Sequence, residues 1–422
     1  MMLFIALTGT GFLVSISISV FLVIMLLMVA VLLYAKKKLT PEGLVKLDIN
    51  GGERVLEIEP GANILSTLSS NGVFLPSACG GGGTCGMCRC QVIEGGGEIL
   101  PTEVGFFSRK EQHSSWRLGC QVKVRNDMKI QIPEAVLGIK KWECEVVSNN
   151  NVATFIKEFK VKLPEGENLI FQSGSYIQID VPEISVNFRD FAVEEEYRDE
   201  WDKFKAWDLK MNNPEPTYRA YSMANFPAEG NIVMLNIRIA TPPWDSAKCG
   251  FANVNPGICS SFIFSRKPGD KVMISGPYGE FHIKKTQREM IYIGGGAGMA
   301  PLRSHIFHLF QTEKTNRKVS YWYGARSLRE VFYEDEFRQI EKNNPNFTFN
   351  LALSEPKPED NWTGLKGFIH QVLFDQYLSK LDEPEEIEYY LCGPPMMNDA
   401  VLKLLYNLGV PDDMIAFDDF GG

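Results

Sequence analysis

The pattern of hydrophobic and polar positions divides the chain before any motif is read. The first 34 residues contain no Asp, Glu, Lys or Arg, and from about Leu13 to Tyr34 almost every position is apolar. About 20 apolar residues at the helical rise match a ~30 Å hydrocarbon layer, whereas a buried or surface helix of a globular domain would carry a polar face. The run is too long for a signal-peptide core and lacks both a basic leader and an A-x-A-like cleavage site. It predicts a membrane anchor over residues 1–38. Lys36, Lys37 and Lys38 follow it, which by the positive-inside rule places the rest of the chain on the cytoplasmic side.

From Gly43 the period drops to two. Leu44–Ile49 and Arg54–Glu59 alternate around the turn Asn50-Gly51-Gly52, which predicts a hairpin. A short helix from about Ile64 to Asn71 and strands at Gln91–Glu94 and Gln121–Val124 complete a first domain, 39–132. Residues 133–142 read as a linker, and a second strand-rich domain follows at 143–283. Within it, residues 183–217 are acidic and aromatic. Tyr197, Trp201, Phe204 and Asp208 share one face of a helix expected from about Val193 to Leu209. That face either packs on its own domain or docks a partner subunit. The last region, 284–422, alternates strands (Met290–Ile293, Lys318–Tyr323, Phe347–Leu353, Glu388–Leu391) with helices (Leu302–Gln311, Tyr333–Lys342, Phe368–Leu378). Such alternation predicts an α/β domain with a parallel sheet.

Composition adds two limits. With 422 residues, 45% hydrophobic and 23% charged, the chain is a globular protein of about three domains. Its net charge of −9 argues against nucleic-acid binding, which needs a basic face.

The candidate chemistry begins with cysteine. Cys79, Cys85 and Cys88 stand at C-x5-C-x2-C spacing in a glycine-rich loop, and Cys120 follows 32 residues after Cys88. Three thiolates from one loop and a fourth from a distant strand suit a [2Fe–2S] cluster. Structural zinc usually takes two C-x2-4-C knuckles, of which only one is present. Disulfides are disfavoured in a cytoplasmic domain. Cys90, two residues beyond Cys88, reads as a small buried residue rather than a fifth ligand.

Further along, Arg219-Ala-Tyr-Ser222 puts Arg219 and Tyr221 on one face of a strand, with Ser222 on the other or at its end. An arginine pairs with pyrophosphate through parallel hydrogen bonds, and a tyrosine face can stack on an isoalloxazine ring. Gly257-Ile-Cys259-Ser260-Ser261 is a turn opening into a helix, where backbone N–H groups can meet phosphate. Met290–Ile293 leads into Gly294-Gly-Gly296-Ala-Gly298-Met-Ala-Pro301 and a helix, the strand–turn–helix phosphate cradle of doubly wound folds. Pro301 takes the place of the usual third glycine and suits a first helical turn. Cys392-Gly393-Pro-Pro lies at a strand's carboxyl end, where such sheets bind ligands. Five histidines share no metal motif.

Residues 39–132 resemble the [2Fe–2S] ferredoxin family, a β-grasp with the cluster loop at its edge. The ordered set R-x-Y-S, G-x-x-S, G-P-Y-G-x-F, G-x-G-x-x-P and C-G-P-P resembles the ferredoxin–NADP⁺ reductase superfamily, which implies an antiparallel β-barrel FAD domain and a doubly wound nucleotide domain. With the anchor in front, the whole chain resembles the F-subunit family of the sodium-translocating NADH:quinone oxidoreductases. That resemblance implies NADH as substrate, bound FAD, a [2Fe–2S] centre and, as partners, the other subunits of a respiratory complex in a bacterial inner membrane. The complex reduces ubiquinone and exports Na⁺. Carried onto this sequence, Arg219 would hold the FAD pyrophosphate and Tyr221 would stack on the flavin. Ser222 would lie near flavin N5, and Gly257 to Ser260 would supply amides to the FAD phosphates. Gly296, Gly298 and Pro301 would shape the NADH pyrophosphate site, Cys392 would sit beside the nicotinamide, and Phe420 would shield the flavin face. Arg326, in Gly324-Ala-Arg-Ser327, could pair with a 2′-phosphate, so NADH over NADPH rests on the resemblance alone. Two other readings share many of these features: the NADH reductase of a bacterial oxygenase, normally soluble, and a membrane-tethered electron carrier whose nucleotide domain only senses NADH.

Overall fold

The computed structural model describes residues 2–39, 43–247 and 249–418. The chain divides into two compact units, Met1–Leu75 with Cys88–Leu137, and Pro76–Met87 with Gly138–Gly422.

In the first unit a helix runs from Met2 to Leu39, and its apolar segment Val14–Tyr34 buries no face. Among the described residues it is the one helix long and apolar enough to cross a membrane. The domain behind it is a five-stranded sheet in the order Arg54–Ile58, Val45–Ile49, Met128–Gln131, Arg89–Glu94, Trp116–Leu118. Asn50 and Gly51 take left-handed φ of 55° and 69°, which fold the first two strands back on each other in antiparallel register. Val45–Ile49 then pairs in parallel with Met128–Gln131, and a helix, Ile64–Ser70, is clasped across the sheet. Asn63 caps that helix by accepting from the Ser66 N–H. Its Ile64, Leu65 and Leu68 are buried with Leu47, Ile49, Val122 and Ile130. This is the expected β-grasp.

The second unit opens on an antiparallel sheet of six strands in the order Thr217–Ser222, Tyr176–Val181, Lys271–Tyr278, Lys140–Ala153, Ile156–Lys162, Ile232–Arg238. A bridge between Met223 and Leu235 joins the outermost strands, so the sheet closes into a barrel with Ile177, Ile179, Leu235, Ile237 and Ile263 in its core. The residues read as a linker hold a helical turn, Glu134–Leu137, and the start of the strand Lys140–Ala153.

The insertion differs from the single helix expected over Val193–Leu209. It is a short helix, Arg198–Lys203, flanked by 3₁₀ turns Glu195–Tyr197 and Ala206–Asp208. Lys205 takes a left-handed φ of 54° that interrupts it. Trp201 is fully buried among Phe155, Phe188, Phe191, Trp207 and Phe264, and its indole N–H donates to the Thr154 carbonyl at 2.8 Å. The aromatic face packs on its own unit.

The nucleotide domain is a parallel sheet in the order Leu365–Lys366, Phe347–Leu353, Val319–Ala325, Met290–Gly295, Glu388–Cys392, Ile415–Asp418. Alternate residues of the central strand face opposite layers. Met290 and Tyr292 join Leu302, Ile306 and Tyr321, while Ile291 and Ile293 join Leu373, Val401 and Leu405. The helix after the glycine turn runs Met299–Phe307, with Pro301 in its first turn, and continues as a π turn, His308–Glu313. A helix, Pro395–Asn407, and the edge strand Ile415–Asp418 were not anticipated from the sequence pattern.

His305 lies fully buried on that helix, stacked on Phe281 with ring centroids 4.8 Å apart. Burial lowers its pKa to about 3 from an ordinary 6.5. The neutral ring therefore contributes stability above about pH 6.5, which is lost as pH falls toward 3, at up to about 1.4 kcal/mol per pH unit. His305→Asn is expected to flatten the acid limb of unfolding midpoints measured against pH. An unchanged slope would contradict this.

Candidate active site and cluster-binding loop

The cysteine loop is built from glycines that reverse the chain, Gly80 and Gly81 among them with φ of 65° and 91°. This brings the Cys85 thiol 3.3 Å from Cys79 Sγ. Burial raises the Cys79 pKa, but backbone N–H groups of Thr84, Cys85 and Gly81, with the Cys85 thiol, outweigh it and bring the pKa to about 6. Amides aimed at a sulfur are the environment a cluster thiolate needs. Cys88 and Cys120 are buried. The Gly119 N–H donates to the Cys88 carbonyl at 2.7 Å, which ties the fourth cysteine's segment to the third. The donor set fits a [2Fe–2S] group. Cys90 is fully buried, its thiol pushed up to about 12 by burial, and it serves as packing.

Cys120 is positioned by a buried ion pair. Arg117 donates through Nε and Nη2 to Glu103, with Nη2 2.8 Å from Oε2, and through Nη1 to the Gly96 and Gly97 carbonyls. Glu103 also accepts the Leu118 N–H at 2.8 Å, two residues before Cys120.

In the barrel, Arg219 and Tyr221 sit on the strand Thr217–Ser222 opposite Ile179 and Ile177. Arg219 Nη1 donates to the Tyr218 carbonyl and Thr217 Oγ1, which orients the guanidinium while Nε and Nη2 stay unengaged among the described residues. Burial raises the Tyr221 pKa well above the ordinary value, with the neighbouring Cys259 adding to the shift. Burial likewise lifts Cys259 to about 12. Cys259 therefore backs the tyrosine rather than reacting. A Cβ on Gly257 would stand 2.5 Å from Ala240 Cβ, so only glycine fits there. Ser260 Oγ accepts the Ala240 N–H at 3.1 Å and fixes the same turn.

The nucleotide cradle is tighter still. A Cβ on Gly298 would meet the Cys392 carbonyl oxygen at 2.1 Å and the Gly393 nitrogen at 2.6 Å. Gly296 turns the chain with a left-handed φ of 56°. Gly296, Gly298, Pro301, Cys392 and Gly393 thus gather at the carboxyl end of the parallel sheet, and Gly296 lines a cavity of about 660 Å³ there. Ser222 joins them through a residue that sequence reading missed. Its Oγ donates to Asp418 Oδ2 at 2.5 Å, and Asp418 lies opposite Cys392 in the strand register. Asp418 escaped notice because the four-residue strand that carries it shows no alternation of its own. Phe420 lies outside the described residues. The cavity also draws Arg238 from the barrel and Glu200 and Lys203 from the insertion.

A barrel joined to a doubly wound sheet, with a β-grasp cysteine loop ahead of them, defines an iron–sulfur flavoprotein reductase. Known proteins agree. Residues 47–125 match the model of the 2Fe-2S iron-sulfur cluster binding domain, and residues 292–403 that of the oxidoreductase NAD-binding domain. The ferredoxin reductase in carbazole 1,9a-dioxygenase is 25% identical with a TM-score of 0.58, covering 90% of this chain and 98% of that one. An Amycolatopsis cytochrome P450 reductase shares the fold with a TM-score of 0.60 at 23% identity, covering 89% of this chain and 98% of that one. Among relatives, the F subunit of the Na(+)-translocating NADH-quinone reductase of Pseudomonas aeruginosa strain UCBPP-PA14 is 53% identical over 98% of this chain and 100% of its own length. That of Methylococcus capsulatus is 54% identical over 95% and 98%. The chain belongs to the family of F subunits of the Na(+)-translocating NADH-quinone reductases.

Glu103→Gln would leave Arg117 charged and unpaired in the core, at a cost of about 3–5 kcal/mol. Urea titration of the full chain, followed by visible cluster absorbance, should show a clearly lower midpoint. An unshifted midpoint would contradict the role given to the pair.

Proposed function

We propose that this chain is the NADH-oxidising, electron-input subunit of a sodium-translocating NADH:quinone reductase. Its helix Val14–Tyr34 anchors it in a bacterial inner membrane, and Lys36 to Lys38 hold its soluble domains on the cytoplasmic side. Its partners are the other membrane subunits of the complex, which carry the electrons on to ubiquinone and export Na⁺.

When bound, FAD supplies the conversion of a two-electron hydride from NADH into single electrons for a [2Fe–2S] centre. The chain's residues bind, orient and exclude water around that chemistry. Arg219 pairs with the FAD pyrophosphate, Tyr221 presents its ring to the flavin, and Gly257, Cys259 and Ser260 close the turn on the FAD phosphates. Gly296, Gly298 and Pro301 seat the NADH pyrophosphate, while Cys392 and Gly393 flank the nicotinamide. Ser222 Oγ holds its proton against Asp418, so a hydroxyl in fixed orientation faces the hydride-transfer position. Cys79, Cys85, Cys88 and Cys120 hold the cluster.

One observation carries this reading: Ser222 of the barrel, joined to Asp418, and the Gly298–Cys392 contact of the nucleotide domain lie at the same carboxyl end of one sheet. The test is the visible spectrum of detergent-extracted full chain before and after anaerobic NADH. Flavin bands and a reddish [2Fe–2S] shoulder should both bleach. A colourless protein containing zinc, or a flavin that NADH leaves oxidised, would contradict the proposal.

A further inference from the structure

Arg326 leaves the second strand of the nucleotide sheet just beyond Gly324, which pairs with Gly295 of the glycine turn. In doubly wound folds the residues past this strand's end read the adenosine ribose, an acidic side chain taking the 2′-hydroxyl and an arginine the 2′-phosphate. By position alone, Arg326 would favour NADPH. The structure gives this arginine a partner. Glu355, just past the end of the third strand, donates its backbone N–H to the Arg326 carbonyl at 2.8 Å, and its carboxylate stands 3.2 Å from Arg326 Nη2. Ser354, just before it, donates to the Ala325 carbonyl, so two backbone bonds hold Glu355 beside the arginine. Both residues line the same cavity as Gly295 and Gly296.

We infer that Glu355 is a specificity-determining residue that competes with a 2′-phosphate for Arg326, in a pair that both side chains make while about two-thirds exposed. A phosphomonoester carries a charge of about −1.5 to −2 at pH 7. To bind, it would have to displace Glu355 from Arg326 and remain next to the displaced carboxylate. Glu200 and Glu330 line the cleft as well, but so do Lys203, Arg238 and Lys357, so the opposition to a phosphate is local to Glu355 rather than a property of the whole cleft; Arg329, the other guanidinium on this segment, pairs with Asp199 at 2.8 Å. A ribose 2′-hydroxyl meets no such opposition and can donate to the carboxylate. Discrimination thus comes from a repulsive element set beside an otherwise permissive arginine. The inference rests on the cleft being the nucleotide site.

The test is titration calorimetry of the FAD-loaded full chain with 5′-AMP and 2′,5′-ADP. Wild type should bind 5′-AMP more tightly than 2′,5′-ADP. Glu355→Gln should shift the ratio of the two affinities toward 2′,5′-ADP by about tenfold, or 1.4 kcal/mol, and raise kcat/KM for NADPH relative to NADH. Adding Arg326→Ala should abolish the gain. An affinity ratio unchanged in Glu355→Gln, or a gain that survives Arg326→Ala, would overturn the inference. A wild type that binds neither fragment would instead overturn the nucleotide reading of the cleft, and the inference with it.

Discussion

Gly298 and Cys392 approach so closely that no side chain could stand between them. A Cβ at 298 would fall 2.1 Å from the Cys392 carbonyl oxygen, a separation no backbone adjustment of a few tenths of an ångström relieves. This contact sets how the glycine turn lies on the end of the Glu388–Cys392 strand. From that arrangement follow where the helix Met299–Phe307 begins and how closely Cys392 lies against its first turn. The strand Ile415–Asp418 pairs alongside and carries the carboxylate that accepts the Ser222 hydroxyl's hydrogen bond.

The insertion works to the same end. Trp201 is sunk in the aromatic cluster and bonded to the Thr154 carbonyl. Thr154 in turn donates its backbone N–H to Glu330 at 3.1 Å, and Arg329, next in sequence, pairs with Asp199. Barrel, insertion and nucleotide domain are thereby knitted around one edge of the cleft. The segment's acidic and aromatic composition has an internal purpose: aromatics pack inward, and carboxylates neutralise a guanidinium at the cleft's rim.

Much of this was legible in the sequence, for reasons that differ by residue. The cysteine loop and the Arg219–Ser222 strand could be read because their chemistry is local: spacing, alternation and glycine content lie within a few residues. The parallel sheet showed in its apolar strands. Besides the helix Pro395–Asn407, three features did not show. The insertion helix broke at Lys205, whose left-handed backbone no periodicity announces. Asp418 sits on a strand four residues long, recognisable only once its neighbour Glu388–Cys392 is in place. Glu355 meets Arg326 across adjacent strand ends, 29 positions apart, a pairing that only the sheet register reveals.

The role proposed for the Gly298–Cys392 contact is to seat the glycine turn on the strand end that would carry the nicotinamide. It is tested most directly by the limiting rate of flavin reduction in anaerobic stopped-flow mixing of NADH with Gly298→Ala, the variant's FAD content being matched to wild type. A displacement of about 1 Å at a reacting centre costs on the order of a hundredfold in rate, and a loss of that size is expected here. Flavin reduction at the wild-type rate in a fully FAD-loaded variant would contradict that role.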